Sequence, residues 1–262
     1  MHLIDIHTHI YPPAIAHKAA ASIREFYQLN THEMDGTAET LLKKGDEVGI
    51  DRFVILPVAV RPDRTRHINN FILEQVAIQP RFIGFGTVHA AMENIADEAQ
   101  YIMDQGLKGI KMHPDTQAFA IDDPRLFPAY EQIQGKIPVI FHMGDARYNY
   151  SHPAQLKCVL DQFPKLQVIA AHFGGYSMYD TASEYLKDTE NCFFDTSSSL
   201  MFMEPGKAEA LINRYGAERF LYGTDYPMWD PVEELQRFMD LKLTARQQEQ
   251  ITHKTAEALL GI

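Results

Sequence analysis

The chain reads as one α/β domain, a closed (β/α)8 barrel over residues 1–262, and three features of the sequence carry that reading. Short runs rich in β-branched and aromatic residues alternate with longer stretches of helical character. There are eight such runs, and from the second onward they begin 25 to 30 residues apart, the length of one strand, one helix and two loops. Histidines recur at the ends of the runs, where a barrel gathers side chains from several strands at one mouth. An open doubly wound sheet is the competing arrangement, but it has fewer strands as a rule and a glycine-rich phosphate loop after the first. Here the first run leads straight into His7-Thr8-His9.

The runs, in order, are Leu3-Ile4-Asp5-Ile6, Phe53-Val54-Ile55-Leu56, Phe82-Ile83-Gly84-Phe85 and Lys108-Gly109-Ile110-Lys111-Met112. Then follow Pro138-Val139-Ile140-Phe141, Val168-Ile169-Ala170-Ala171, Phe193-Phe194-Asp195 and Phe220-Leu221-Tyr222. Between them, Thr181-Ala182-Ser183-Glu184 and Thr244-Ala245-Arg246-Gln247 have the capping-box pattern of a helix start. Asp123-Pro124, His152-Pro153 and Asp230-Pro231 put proline in a first helical turn, where its missing N–H costs nothing. Leu156, Val159, Leu160 and Phe163 recur at helical spacing and would cover one face of the barrel. The first repeat is the long one, and its extra part (11–35), with Tyr11, Phe26, Tyr27 and His32, reads as a lid or rim over the mouth.

Composition removes several classes of function. With 262 residues and 45% apolar content, a single core needs no staples. Two cysteines, Cys158 and Cys192, exclude a disulfide scaffold or a Cys-rich zinc module and read as buried apolar residues of a cytoplasmic protein. The apolar runs are far too short to span a membrane, and Met1-His2-Leu3-Ile4-Asp5 lacks the basic start of a signal peptide. A net charge of −11 argues against a nucleic-acid backbone as partner. A small-molecule substrate remains, with homo-oligomerisation left open.

Six of the twelve histidines, His7, His9, His89, His113, His142 and His172, fall at or just past a strand end. Residues two apart on a strand share a face, so His7 and His9 both turn toward the barrel axis. Asp225 follows the last strand and lies beside the first once the barrel closes. Imidazoles and a carboxylate converging on one mouth suit zinc or a similar divalent ion.

These residues, together with His172-Phe173-Gly174-Gly175, Thr224-Asp225-Tyr226-Pro227, Pro80-Arg81-Phe82-Ile83-Gly84-Phe85 and Gly109-Ile110-Lys111-Met112-His113-Pro114, resemble the amidohydrolase superfamily. More narrowly, they resemble its amidohydrolase-related branch of TIM-barrel metal-dependent hydrolases and decarboxylases. The resemblance implies that His7, His9, His142 and Asp225 ligate one divalent ion, zinc first, whose bound water attacks an amide, lactone or ester carbonyl. It casts Asp225 and His172 as the catalytic pair that takes, orients or shuttles the proton. It also offers a two-ion variant, bridged by a carbamylated Lys111.

Lys111, His113 and Arg61 are candidate substrate contacts, the last as a clamp for a carboxylate. His89 and Trp229 are softer candidates for the pocket wall. Ser197, Ser198 and Ser199 are set aside as nucleophiles, because nothing in the pattern arranges a base around them. Non-oxidative decarboxylation of an aromatic or unsaturated acid is the alternative reaction, and a non-catalytic metal- or ligand-binding barrel the lesser one.

Overall fold

The computed structural model describes residues 2–29, 31 and 34–262, so His32 lies outside the described residues. Every run becomes a strand: β1 (Ile4–Thr8), β2 (Arg52–Ile55), β3 (Phe82–Gly84, resuming past Phe85 as Gly86–Thr87) and β4 (Ile110–Met112). The second half supplies β5 (Val139–Phe141), β6 (Val168–Ala170), β7 (Cys192–Asp195) and β8 (Phe220–Leu221). After β1 come α1 (Ala16–Tyr27) and α2 (Ala38–Val48); α3 (Thr65–Ile78) follows β2 and α4 (Ile95–Asp104) follows β3. The fourth loop holds α5 (Pro114–Gln117) and α6 (Phe127–Ile133). Then α7 (Pro153–Gln162), α8 (Tyr179–Leu186) and α9 (Lys207–Tyr215) follow β5, β6 and β7, and α10 (Pro231–Met239), α11 (Ala245–Glu249) and α12 (Thr255–Leu260) complete the chain.

Neighbouring strands pair in parallel throughout. At Phe85 the third strand passes its hydrogen bonds from one neighbour to the other: Phe85 N donates to Ile55 O at 3.2 Å and Gly86 N to Gly109 O at 2.8 Å. The ring closes where the last strand meets the first. Ile6 N donates to Tyr222 O at 2.9 Å, Asp225 N to His7 O at 2.7 Å and His9 N to Tyr226 O at 2.7 Å. The architecture is therefore the expected (β/α)8 barrel.

Two apolar layers follow from strand alternation. Phe53, Ile110, Val139, Val168, Phe194 and Phe220 pack outward against the helices. Ile4, Ile6, Val54, Leu56, Ile83, Phe85, Ile140, Ile169 and Leu221 form a separate cluster that fills the barrel. β1 contributes Ile4 and Ile6 to this interior, which simple alternation would deny to His7 and His9. The pairing of β1 with β2 slips between Asp5 and Thr8, and this bulge returns the two histidines to the inside.

The caps at His152 and Thr244 form reciprocal capping boxes, and Asp230 accepts from Val232 N at 2.9 Å. Asp123 caps a short 3₁₀ turn that leads into α6. Thr181 does not start a helix: α8 begins two residues earlier, with Ala182 N already bonded to Met178 O, so the hydroxyl lies past the first free amides. Cys192 is buried, whereas Cys158 is exposed on α7, contrary to the reading of both as core. No helix among the described residues is long and apolar enough to cross a membrane.

Gly109 makes room for the barrel filling, since a Cβ there would sit 2.3 Å from the Phe85 ring. Gly109→Ala is expected to destabilise the fold by about 1–3 kcal/mol through overpacking. Adding Phe85→Leu should recover part of the loss, and chemical denaturation of the two variants measures both effects.

Candidate active site

The barrel mouth opens into a cavity of about 390 Å³, lined by residues from β1, α1, the loop after β2, α3 and the ends of β4, β5, β6 and β8. His7, His9, Lys111, His113, His142, His172, Ser198 and Asp225 form its polar end. Of the six strand-end histidines only His89 stays away; it packs on Phe119 and accepts from Ala91 N. The insertion after β1 does reach the mouth, and Tyr11, Ile15, Ala19, Ile23 and Tyr27 line the cavity.

Three of the four expected ligands meet. The ligand atoms of His7, His9 and Asp225 lie within 4.8 Å of one another, with Asp225 Oδ1 3.5 Å from His7 Nε2 and 3.4 Å from His9 Nε2. Each imidazole is oriented through its other nitrogen. His9 Nδ1 bonds Leu56 O at 2.7 Å, and His7 Nδ1 bonds Asp195 Oδ2 at 2.8 Å. Both Nδ1 atoms therefore carry a proton, and both Nε2 atoms face Asp225, where they would be free to ligate an ion. That donor set fits a divalent ion.

Burial pushes the His7 imidazole down to about 4, helped by the nearby Lys111 ammonium, which leaves it neutral and ligating at physiological pH. Burial alone would raise the two carboxylates. For Asp195 the adjoining His7 outweighs it and holds the group at about 2; for Asp225, His7 and a hydrogen bond to His9 hold it far below the usual carboxylate range.

His142 does not join this triad. Its Nδ1 is 2.9 Å from His172 Nε2 and its Nε2 3.0 Å from Tyr27 Oη. Tyr27 Oη is also 2.9 Å from His113 Nε2, and His113 and His142 stack with centroids 4.0 Å apart. One donor order satisfies every member: Thr116 N to His113, His113 to Tyr27, Tyr27 to His142, His142 to His172, and His172 Nδ1 to Ser197 O at 3.1 Å. Burial lowers the pKa of all three of these histidines, so neutral imidazoles, each one donor and one acceptor, suit that chain.

Lys111 is wholly buried, with Nζ 3.2 Å from His7 Nε2, and burial drives its ammonium down to about 8 against the pull of Asp225 and Asp195. Arg61 is a correction. Its side chain is 65% exposed and pairs with Asp63, because the loop after β2 turns it outward into solvent. Trp229 stands one side chain back, donating to Ser198 Oγ at 2.7 Å, while Ser198 in turn donates to Asp225 Oδ2. Asp195 and Tyr27 were missed as site residues, although Asp195 ends the seventh run as plainly as the histidines end theirs. His172, Ser198 and Asp225 all hold left-handed backbone, a conformation that non-glycine residues adopt at a cost.

A model of the amidohydrolase family matches residues 4–262. An uncharacterised TIM-barrel protein of Bordetella bronchiseptica is similar in structure, with TM-score 0.82 and 22% identity over 100% of this chain and 99% of that one. So is the 5-carboxyvanillate decarboxylase of Sphingomonas paucimobilis, at TM-score 0.78 and 18% identity over 100% and 99%. A dihydroxybenzoic acid decarboxylase of a Polaromonas species, solved with manganese and the inhibitor 2-nitroresorcinol, matches at TM-score 0.75 and 19% identity over 99% and 97%.

Two outcomes follow from the geometry. Asp195→Asn, which leaves His7 without its carboxylate partner, should weaken divalent-metal affinity about 10–100-fold, read by competition with a chelating dye. In metal-free protein, the cost of the buried Lys111 ammonium is complete below about pH 8 and disappears as pH rises from about 8 toward 10.5. Lys111→Met should therefore be more stable than wild type at neutral pH, by about 1–3 kcal/mol. Thermal melts near pH 9.5 should show that margin shrinking.

Proposed function

The chain belongs to the amidohydrolase family, and we propose that it is a metal-dependent, non-oxidative decarboxylase of an aromatic carboxylic acid. The observation that carries this reading is the division of the cavity, imidazoles and one carboxylate at one end and apolar side chains over the rest. Decarboxylation turns a charged acid into a neutral arene and carbon dioxide. An apolar enclosure penalises the charged reactant more than either product. Hydrolysis of an amide, lactone or ester, the reading favoured by sequence alone, leaves two polar fragments, and the far wall has little to offer the second. The decarboxylases of aromatic acids among the similar structures support the same choice.

His7, His9 and Asp225 would hold the divalent ion, which when bound supplies positive charge to orient an oxygen of the substrate. Zinc suits these ligands, and manganese accompanies the Polaromonas relative; metal content of protein purified without added metal separates the two. The two-ion variant would have His142 and His172 share a second ion in place of the hydrogen bond between them, and the number of ions per chain separates it from the one-ion site. Asp225, held ionised, acts as ligand rather than acid. The carbon that loses carbon dioxide keeps the bonding electron pair and takes a proton. This proton is assigned to His172 Nε2, which takes it along the bond from His142 Nδ1 and must leave that bond to meet the substrate, while Nδ1–H stays on Ser197 O; Tyr27 and His113 then resupply His142.

With hydroxybenzoates as substrates, carbon dioxide should be released, and the product formed in D₂O should carry one deuterium at the vacated carbon. A chelator should abolish the reaction and a divalent ion restore it. Uptake of ¹⁸O from labelled water into a lactone or ester product, without carbon dioxide, would return the assignment to hydrolysis.

A further inference from the structure

We propose that the acid taken by this site is a monocarboxylate whose ring carries an alkyl or alkenyl chain, with the ring at the histidine cluster and the chain in a slot between α1 and α3. This deepens the decarboxylase reading and rests on it. The volume comes first: the cavity holds about 390 Å³, whereas a cavity of roughly 150 Å³ suffices for benzene. More than half of it lies beyond what one ring fills.

That remainder is mostly apolar. Starting from Ile15, just before α1, Ile15, Ala19 and Ile23 recur every four residues, and Ile68, Phe71 and Ile72 form the matching stripe on α3. Val58 and Val60 close the side between them. At the outer end Ile15 is 52% and Val60 60% exposed, two of the few large apolar side chains left in solvent, and both border this opening. Exposed apolar surface continuous with a binding cavity is surface that a ligand covers.

The charge pattern limits the other end of the ligand. No arginine among the described residues lines the cavity, and Lys111 lies at the polar end against His7. The polar groups of the slot wall, Ser22 and His67, are both exposed. A second carboxylate or a phosphate in the slot would lose water and find no lysine or arginine among the described residues lining the slot. A hydrocarbon chain loses nothing.

The test uses 3-methyl-, 3-propyl- and 3-pentylphenol as binding probes, the products that 4-alkyl-2-hydroxybenzoates give on losing carbon dioxide. On the protein as purified, calorimetry should show Kd falling about fourfold per added methylene. Val60→Glu and Ile68→Asn, each checked for an intact thermal transition, should flatten that dependence. A wild-type Kd that changes less than about threefold from methyl to pentyl would overturn the slot, even if the methyl acid releases carbon dioxide. A steep dependence with no carbon dioxide from any of the acids would uphold the slot and refute the reaction instead.

Discussion

The site depends on the seam where the last strand returns to the first. Three backbone hydrogen bonds stitch Ile6, His7 and His9 to Tyr222, Asp225 and Tyr226. Buried Asp5 adds a side-chain stitch, accepting from Thr224 N at 3.0 Å and Thr224 Oγ1 at 2.6 Å. Asp225 is 218 positions from His7 in the chain, and only ring closure makes them neighbours. The same bond that closes the ring, Asp225 N to His7 O, fixes the backbone of a candidate ligand from each side. Site geometry and fold integrity are therefore one property at this seam.

Crowding His113, His142 and His172 under the mouth is tolerable because burial lowers their pKa and each of their ring nitrogens has a partner. Burial works against protonation, and the donor order from Thr116 to Ser197 leaves no imidazole nitrogen of that chain idle. Asp195 is the anchor beneath. It takes His7 Nδ1, His172 N and the hydroxyl and backbone N–H of Ser197, so one buried carboxylate orients two strand ends. With Asp225, which has the larger effect, its negative charge offsets part of the cost of burying the Lys111 ammonium.

The strands were legible because β-branched and aromatic runs mark them, and the mouth because histidines stood where those runs end. His7, His9 and Asp225 could be brought together on paper from barrel closure alone. The bulge in β1 could not be foreseen: nothing about Ile6-His7 distinguishes a slipped pair, and both faces of β1 are buried, so hydrophobic pattern carries no register there. Tyr27 escaped because its partners, His113 and His142, are 86 and 115 positions away, and no local pattern points a rim helix at them. Arg61 misled because position past a strand end does not fix direction, and a partner two residues on, Asp63, held it outside.

α1 joins the two halves of the cavity. Arg147, in the loop after β5, is fastened to Asp145 and donates to Phe26 O at 2.6 Å, while its guanidinium lies 5.0 Å from the Tyr27 ring. The loop that carries His142 out of β5 thus also grips the end of α1. With α1 seated, Tyr27 completes the chain between His113 and His142, and Ile15 and Ile23 complete the apolar wall. Lifting α1 would break both together. A ligand that fills the wall would stabilise the seated helix by its differential contact with that state, and so the hydrogen-bonded chain that Tyr27 completes. Binding energy gathered far from the histidines is in this way delivered to them through one tyrosine.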